Sequence, residues 1–251
     1  MKPATQFIHA GAHPDPTTGA IMTPIFQTST YVQEAPATHK GYEYARSQNP
    51  TRTALEEALA IIEHGKFGLA FSSGVAATDA VIKLLNPGDE VICANDMYGG
   101  TYRLFTKVFE RFGIVFKPVD TTNAEHVAAS ITANTKLVWL ETPTNPLMNI
   151  TDIQAVAAIT KKHNLILVVD NTFASPALQN PLDLGADKAL TESEHPEMPN
   201  PALGLRAIRY CLAEPQLFLA QLRAILRASK YGRVRILLPM LAHAHEIEQS
   251  L

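Results

Sequence analysis

The sequence predicts an α/β protein: a doubly wound, mostly parallel sheet behind an irregular N-terminal arm, with a tail that departs from the pattern. Three observations lead there. Short apolar, β-rich runs recur as FGLAFSS, EVICAN, IVFKPVD, KLVWLET and LILVVDN. Such continuous runs suit parallel strands buried on both faces. Between them AATDAVIKLL, TYRLFTKVFERF, AEHVAASIT and DIQAVAAITKKH read as helices, completing a βαβ alternation.

Residues 1–50 are rich in Pro, Thr and Gly and lack periodicity, so they read as an extended arm that needs something to lie against. From 51, TRTALEEALAIIEH has helical spacing, with Thr51 as its cap. The alternation follows, and NPGDE at 86–90 supplies a helix stop and a turn before a strand. After 190 the alternation ends. EHPEMPNP is a polar, proline-rich breaker; then PALGLRAIRYCL and EPQLFLAQLRAILRAS read as helices, RVRILLPM as a strand and AHAHEIEQSL as a last helix. The expected division is an arm at 1–50, a large domain at 51–187, a junction at 188–199 and a tail at 200–251.

The 251 residues are 46% hydrophobic and 18% charged, as in an ordinary soluble globular protein. A net charge of −3 gives no reason to expect nucleic acid or a membrane surface as partner. Cys93 and Cys211 are far apart in apolar runs, which argues against disulfides and thiolate metal sites and fits a reducing cytoplasm. The N-terminus has no apolar signal core. His243, His245 and Glu246 are no metal site, because an i, i+2 pair does not face one way on a helix.

In open α/β sheets ligands bind at the carboxyl ends of the strands. The residues there are Ser72-Ser73-Gly74, Asp96 to Gly100, Glu141 to Pro146 and Asp170-Asn171-Thr172. Gly74 opens a helix whose first amides suit a phosphate, although a glycine at such a turn also serves geometry alone. Asp170 closes an apolar strand, where it suits either a protonated pyridine nitrogen or local amides. Tyr98, in a glycine-flanked loop, could lie on a cofactor ring or pack on the core.

TPIFQTSTY, YEYARSQNPTR, FSSGVAATDAV, MYGGTYRLF, ETPTNPLMNITD and VVDNTFASPALQNPLDLGAD, in this order between about 5 and 187, resemble the Cys/Met-metabolism family of pyridoxal-phosphate enzymes. That resemblance implies a fold-type-I aminotransferase-like large domain, transsulfuration chemistry of the cystathionine γ-synthase or γ-lyase kind, an amino-acid substrate and a dimer-built tetramer. It implies that Gly74 and Val75 give amides to the cofactor phosphate and that Tyr98 stacks on the ring. Asn145 would lie beside the ring hydroxyl, Asp170 would hold the pyridinium, and Thr172 would stand close by. Tyr44 and Arg46 would reach across a dimer interface to a neighbour's phosphate.

The family continues GAD with a short strand and then a Ser-x-Thr-Lys-Tyr motif, whose lysine carries the coenzyme as a Schiff base. Eight residues after Asp187 this chain has His195, which has no primary amine. Lys188 comes seven residues too early, and Lys230 stands in an unrelated context. The resemblance also implies a small C-terminal domain, which is expected to be missing here. By the same resemblance, two strands following GAD would lie between the AFSS and VVDN strands, so their loss should leave unpaired edges and exposed apolar faces.

In the tail, LGLRAIR, QLRAILRAS and VRILLPM, within about 198–251, resemble the phosphoenolpyruvate-binding barrel of phosphoenolpyruvate–protein phosphotransferase (enzyme I). There Arg206 and Arg235 would bind phosphate and carboxylate, or else stand as solvated charges. The segment is a fraction of a barrel that needs roughly 250 residues to close. The expectation is a chimera with a truncated pyridoxal-phosphate domain, catalytically incompetent and holding its cofactor non-covalently at best. The alternatives are a remnant that only binds the cofactor, and a phosphoenolpyruvate-binding fragment.

Overall fold

The structure, a computed structural model, describes residues 2–191. These belong to one compact unit, Met1–Ser193; a second unit, Glu194–Leu251, falls outside the described residues. His195, Arg206, Cys211, Lys230, Arg235, His243, His245, Glu246 and the elements expected in the tail lie there too.

Five strands form the sheet: β1 (Glu90–Ala94), β2 (Val115–Val119), β3 (Thr135–Glu141), β4 (Ile166–Asp170) and β5 (Lys188–Leu190). They run β2-β1-β3-β4-β5, and every pairing is parallel. The helices are α1 (Pro3–His9), α2 (Pro50–Ile62), α3 (Gly74–Ile82), α4 (Gly99–Lys107), α5 (Ala124–Ser130), α6 (Ile153–Lys162) and α7 (Ser175–Leu178), with a 3-10 turn at Phe109–Phe112 after α4.

Alternation along the strands sorts their side chains into two cores. Val138, Leu140, Leu167 and Val169 pack against Val127 of α5 and Ile153 and Val156 of α6. Leu137, Trp139, Cys93 and Val168 pack on the other face against Ile82 of α3 and Phe105 of α4. There Phe105 meets Trp139 edge-on at 5.6 Å and stacks on Phe116 at 4.2 Å. Helices on both faces explain why the strand sequences are apolar throughout. The NPGDE turn forms as expected: Gly88 adopts φ +95°, and the Asn86 amide donates to Asp89 Oδ2 at 2.8 Å. No helix among the described residues is long and apolar enough to cross a membrane.

Three expectations need correction. FGLAFSS is not a strand. Its Ala70 amide donates instead to the Glu56 side chain of α2 at 3.0 Å. Gly68 lies so close to α2 that a Cβ there would stand 2.0 Å from the Glu56 carbonyl oxygen. Phe67 and Leu69 are left 77% and 71% exposed. A strand needs a neighbour to take its backbone hydrogen bonds. Of the two strands expected between this run and β4, the described residues supply only the short β5. The loss of those two strands is itself partial, which is the second correction: Lys188–Leu190 pairs with Val168–Asp170.

Third, α2 is capped by Asn49 rather than Thr51. Asn49 Oδ1 accepts from the amides of Thr51 at 2.9 Å and Arg52 at 3.4 Å. Thr51 Oγ1 serves the arm, donating to the Pro24 carbonyl at 2.8 Å and accepting from the Phe26 amide at 2.9 Å. Asn49 Nδ2 adds a bond to the Phe26 carbonyl at 3.0 Å. The arm therefore lies against the start of α2, and it carries the short helix α1, which its composition did not announce. Asn49→Ala, which removes both the cap and the Phe26 bond, should cost about 1–2 kcal/mol, read as a lower urea midpoint at an unchanged slope.

Candidate functional site

All five strands point the same way, so their carboxyl ends form one rim, and the register decides which side chains meet there. Glu141 of β3 stands opposite Asp170 of β4. Both share the parity of Trp139 and Val168, which places them on the sheet face covered by α3 and α4. Two carboxyl groups are thus side by side at the end of an apolar core.

Glu141 is 5% exposed. Its Oε2 accepts the Tyr98 backbone N–H at 2.7 Å, tying the start of α4 to the end of β3. Burial pushes its carboxyl up to about 8, and the charges of Asp170 and Asp96 act in the same direction, against the lowering effect of the Tyr98 and Asn145 amides. Asp170, half-buried, accepts at Oδ1 from the Thr172 amide at 3.1 Å and the Thr172 hydroxyl at 2.6 Å. Asn171 beside it is fully buried and exchanges hydrogen bonds with Gln179 at 2.8 and 2.9 Å, so the chain leaving β4 is firmly held.

Asp96, just past β1, organises the third strand end. Its Oδ2 accepts from the Thr144 hydroxyl and, at 3.1 Å, from the Leu147 amide. The 142–149 loop, with cis peptides at Thr142–Pro143 and Asn145–Pro146, is closed by Asn149 N–H to Thr144 Oγ1 at 2.9 Å. Asn145 sits half-buried in that loop, its amide turned to Glu141. Tyr98 caps α4 with its ring folded over Gly100, where a Cβ would lie 2.3 Å from the ring.

Gly74 opens α3 on the same face. Ser73 Oγ accepts the Ala76 amide at 3.1 Å, and the Gly74 carbonyl accepts the Thr78 hydroxyl at 2.9 Å. Val75 is half-buried in that first turn. The structure therefore groups Tyr98, Asn145, Asp170 and Thr172 on one rim, with Gly74 and Val75 heading a helix that covers the same face. Tyr44 and Arg46 are joined to each other on the arm. The Arg46 guanidinium donates to the Tyr44 hydroxyl at 2.5 Å and stands 5.0 Å from its ring centre, and none of the rim's hydrogen bonds described above involves them. Lys188 opens β5 in register with Val168, a step behind Asp170 and away from the rim.

Sequence reasoning places Glu141 and Asp96 among the strand-end residues but gives neither a role. The signal existed: a carboxylate ends KLVWLE as Asp170 ends LILVVD. Its partners are 43 residues upstream, at Tyr98, and one strand away, and neither spacing has a motif. Among the described residues no cluster of His, Cys, Asp and Glu could hold a metal ion. Cys93 is buried, and desolvation pushes its thiol up to about 12, so it is no nucleophile at neutral pH.

The rim offers a carboxylate for a cationic ring nitrogen, an aromatic face, and the positive end of a nine-residue helix for an anion. Glu141 holds its proton more tightly in the folded chain than in the unfolded one. Its contribution to stability is therefore complete below about pH 4.5 and fades as pH rises through about 8. Urea midpoints measured between pH 5 and 9 should fall across that window, and Glu141→Gln should flatten the fall. Gly100→Ala should destabilise the fold by about 1–3 kcal/mol, the range for overpacking, read as a lower urea midpoint, because the Tyr98 ring must move.

Comparisons with known proteins bear on this rim. The profile of the Cys/Met metabolism PLP-dependent enzymes matches residues 4–193. A second profile, the PEP-binding domain of PEP-utilising enzymes, matches 143–251. The overlap at 143–193 contains α6, β4 and β5, which are built into the same sheet and cores as residues 90–141, so it belongs with the first match. Cystathionine beta-lyase of Coxiella burnetii is 52% identical over 184 residues, covering 73% of this chain and 48% of that enzyme. Cystathionine gamma-lyase of Bacillus subtilis is 52% identical over 190 residues, covering 76% and 50%. The crystal structure of metB from Corynebacterium glutamicum superimposes with a TM-score of 0.73 at 54% identity, over 74% of this chain and 49% of that one. The chain spans about half the length of these relatives.

Proposed function

Because the chain belongs to the Cys/Met metabolism PLP-dependent enzymes, we propose that its first 187 residues are the cofactor-binding part of a transsulfuration enzyme, able to hold pyridoxal phosphate without a covalent tether and unable to turn over. The observation that carries this reading is the register of β3 with β4. It presents Asp170, its Oδ1 fixed by Thr172, on the face headed by Gly74 and Tyr98.

The rim residues fit that cofactor in three respects. The α3 N-terminus suits its phosphate, the Tyr98 ring suits its aromatic face, and Asp170 suits its ring nitrogen. They fail in a fourth, since the position that should carry a primary amine is His195. When bound, pyridoxal phosphate supplies an electron-withdrawing ring that stabilises negative charge on an amino acid's α-carbon. Asp170 would keep a proton on the ring nitrogen, and Thr172 holds Asp170 in place for that. Tyr98 would stack on the ring, with Asn145 beside its hydroxyl group. Gly74 and Val75 would donate amides to the phosphate. Tyr44 and Arg46, exposed on the arm, would serve a neighbouring subunit's phosphate in a homodimer or tetramer.

The substrate of the parent enzyme would be a small sulfur amino acid, such as cystathionine, handled in the cytoplasm. Moving the proton between substrate carbon and leaving group needs the missing amine, so turnover stops there. The chain is on this reading a chimera, its tail taken from a phosphoenolpyruvate-utilising enzyme, as the match over 143–251 supports. A phosphoenolpyruvate site built on Arg206 and Arg235 is the weaker alternative, because residues 200–251 are too few to close a barrel that needs roughly 250.

Trp139, the single tryptophan, provides a probe. Pyridoxal phosphate added to the whole chain should quench its fluorescence saturably. Asp170→Asn should weaken that binding by more than about tenfold, the scale of a lost buried charge pair. Borohydride should fix no cofactor stoichiometrically to any one lysine, beyond the scattered labelling that exposed lysines give, and cystathionine should yield no pyruvate or 2-oxobutanoate. One lysine labelled stoichiometrically, or a keto-acid product, would overturn the proposal.

A further inference from the structure

We propose that Glu141 is a positioning residue of this site: it anchors Tyr98 through the backbone and couples that anchor to Asp170, so that ring and acid move as one unit. The inference rests on the cofactor reading above for its purpose, and on geometry for its substance. Glu141 belongs to none of the groups assigned to the cofactor.

The geometry has three parts. Glu141 Oε2 accepts the Tyr98 N–H at 2.7 Å across 43 residues of sequence, the shortest tie described between α4 and the rim. Tyr98 offers no side-chain hydrogen bond at the head of α4, so the Glu141 bond is what sets the backbone from which its ring projects. In the ladder, Glu141 lies directly opposite Asp170, in a pairing that runs unbroken from Leu137 to Glu141. The ionisable groups that face Glu141 are Asp170 from β4 and Asp96 from the end of β1; from α4 it meets the Tyr98 backbone, and from the 142–149 loop the Asn145 amide.

Two carboxyl groups side by side, one buried and one half-buried, do not both carry charge cheaply. Glu141 is the more deeply buried, so it is the one to keep a proton, leaving Asp170 to meet a cation. Its raised proton affinity agrees with that order. A protonated carboxyl still accepts the Tyr98 N–H through its carbonyl oxygen, and glutamine imitates that state in shape and acceptor.

The test uses the whole chain and two variants, Glu141→Gln and Glu141→Leu. Amide hydrogen exchange at Tyr98, with Val138 and Leu140 as controls, should slow in the parent chain and in Glu141→Gln. It should accelerate at least about tenfold at Tyr98 alone in Glu141→Leu, the scale of one lost buried hydrogen bond. Pyridoxal phosphate affinity, read by Trp139 quenching, should follow the same order, and its dependence on pH between 6 and 9 should shrink in Glu141→Gln to what the ligand's own groups contribute. The carboxyl NMR midpoint of Glu141 should fall in Asp170→Asn. Unchanged Tyr98 exchange in Glu141→Leu, or an unchanged midpoint in Asp170→Asn, would overturn the positioning role. No quenching in the parent chain, with the exchange and midpoint effects intact, would instead overturn the cofactor reading and leave the Glu141 anchor standing.

Discussion

Parallel pairing of β3 with β4, register held from Leu137↔Ile166 to Glu141↔Asp170, is the constraint from which the site follows. Both strands are covered on both faces, so their interiors must be apolar, and the first polar side chains appear together where the cover ends. Two carboxyl groups then meet in a poorly solvated place. They are tolerable because each has donors: the Tyr98 amide for one, the Thr172 amide and hydroxyl for the other. The loops at the rim are shaped by these obligations. Asp96 does the same for the 142–149 loop.

The opposite flank of the sheet shows what happens when a partner is withdrawn. Phe67, Leu69 and Phe71 have the composition of a strand and remain exposed, because β5 is three residues long and the described residues provide no further strand between. The run finds a partial substitute along α2, one backbone donor served by Glu56. Glu63, at the end of α2, is drawn into the same region, where the Thr191 hydroxyl donates to its Oε1. An unpaired strand edge beside exposed aromatic residues is an aggregation hazard in any chain.

A coenzyme can be held in two separable ways, by non-covalent complementarity and by a covalent bond. The rim here bears on the first, through residues contributed before Asp187. The second depends on one amine at one position, where the proposed reading puts His195. Separating them in one polypeptide offers a way to measure how much of cofactor recognition resides in strand-end geometry alone.

Four of the five strands and the helices between them were legible because βαβ structure is written in local periodicity and in short turns such as NPGDE. That Asp170 would close a strand and Tyr98 follow one was legible from the apolar runs that precede them; Gly74 follows no strand, because FGLAFSS forms none. The Thr51 cap was misplaced because both Asn49 and Thr51 carry capping oxygens, and only the position of the arm decides which is needed at Pro24 and Phe26. FGLAFSS was misread because β-rich composition says that a run could be a strand and nothing about whether a neighbour exists. By itself, then, the sequence determined the alternation and the apolar interior, both properties of residues near one another along the chain. Only the tertiary structure decided that Glu141 faces Asp170 and holds Tyr98, because register joins residues that no local pattern connects.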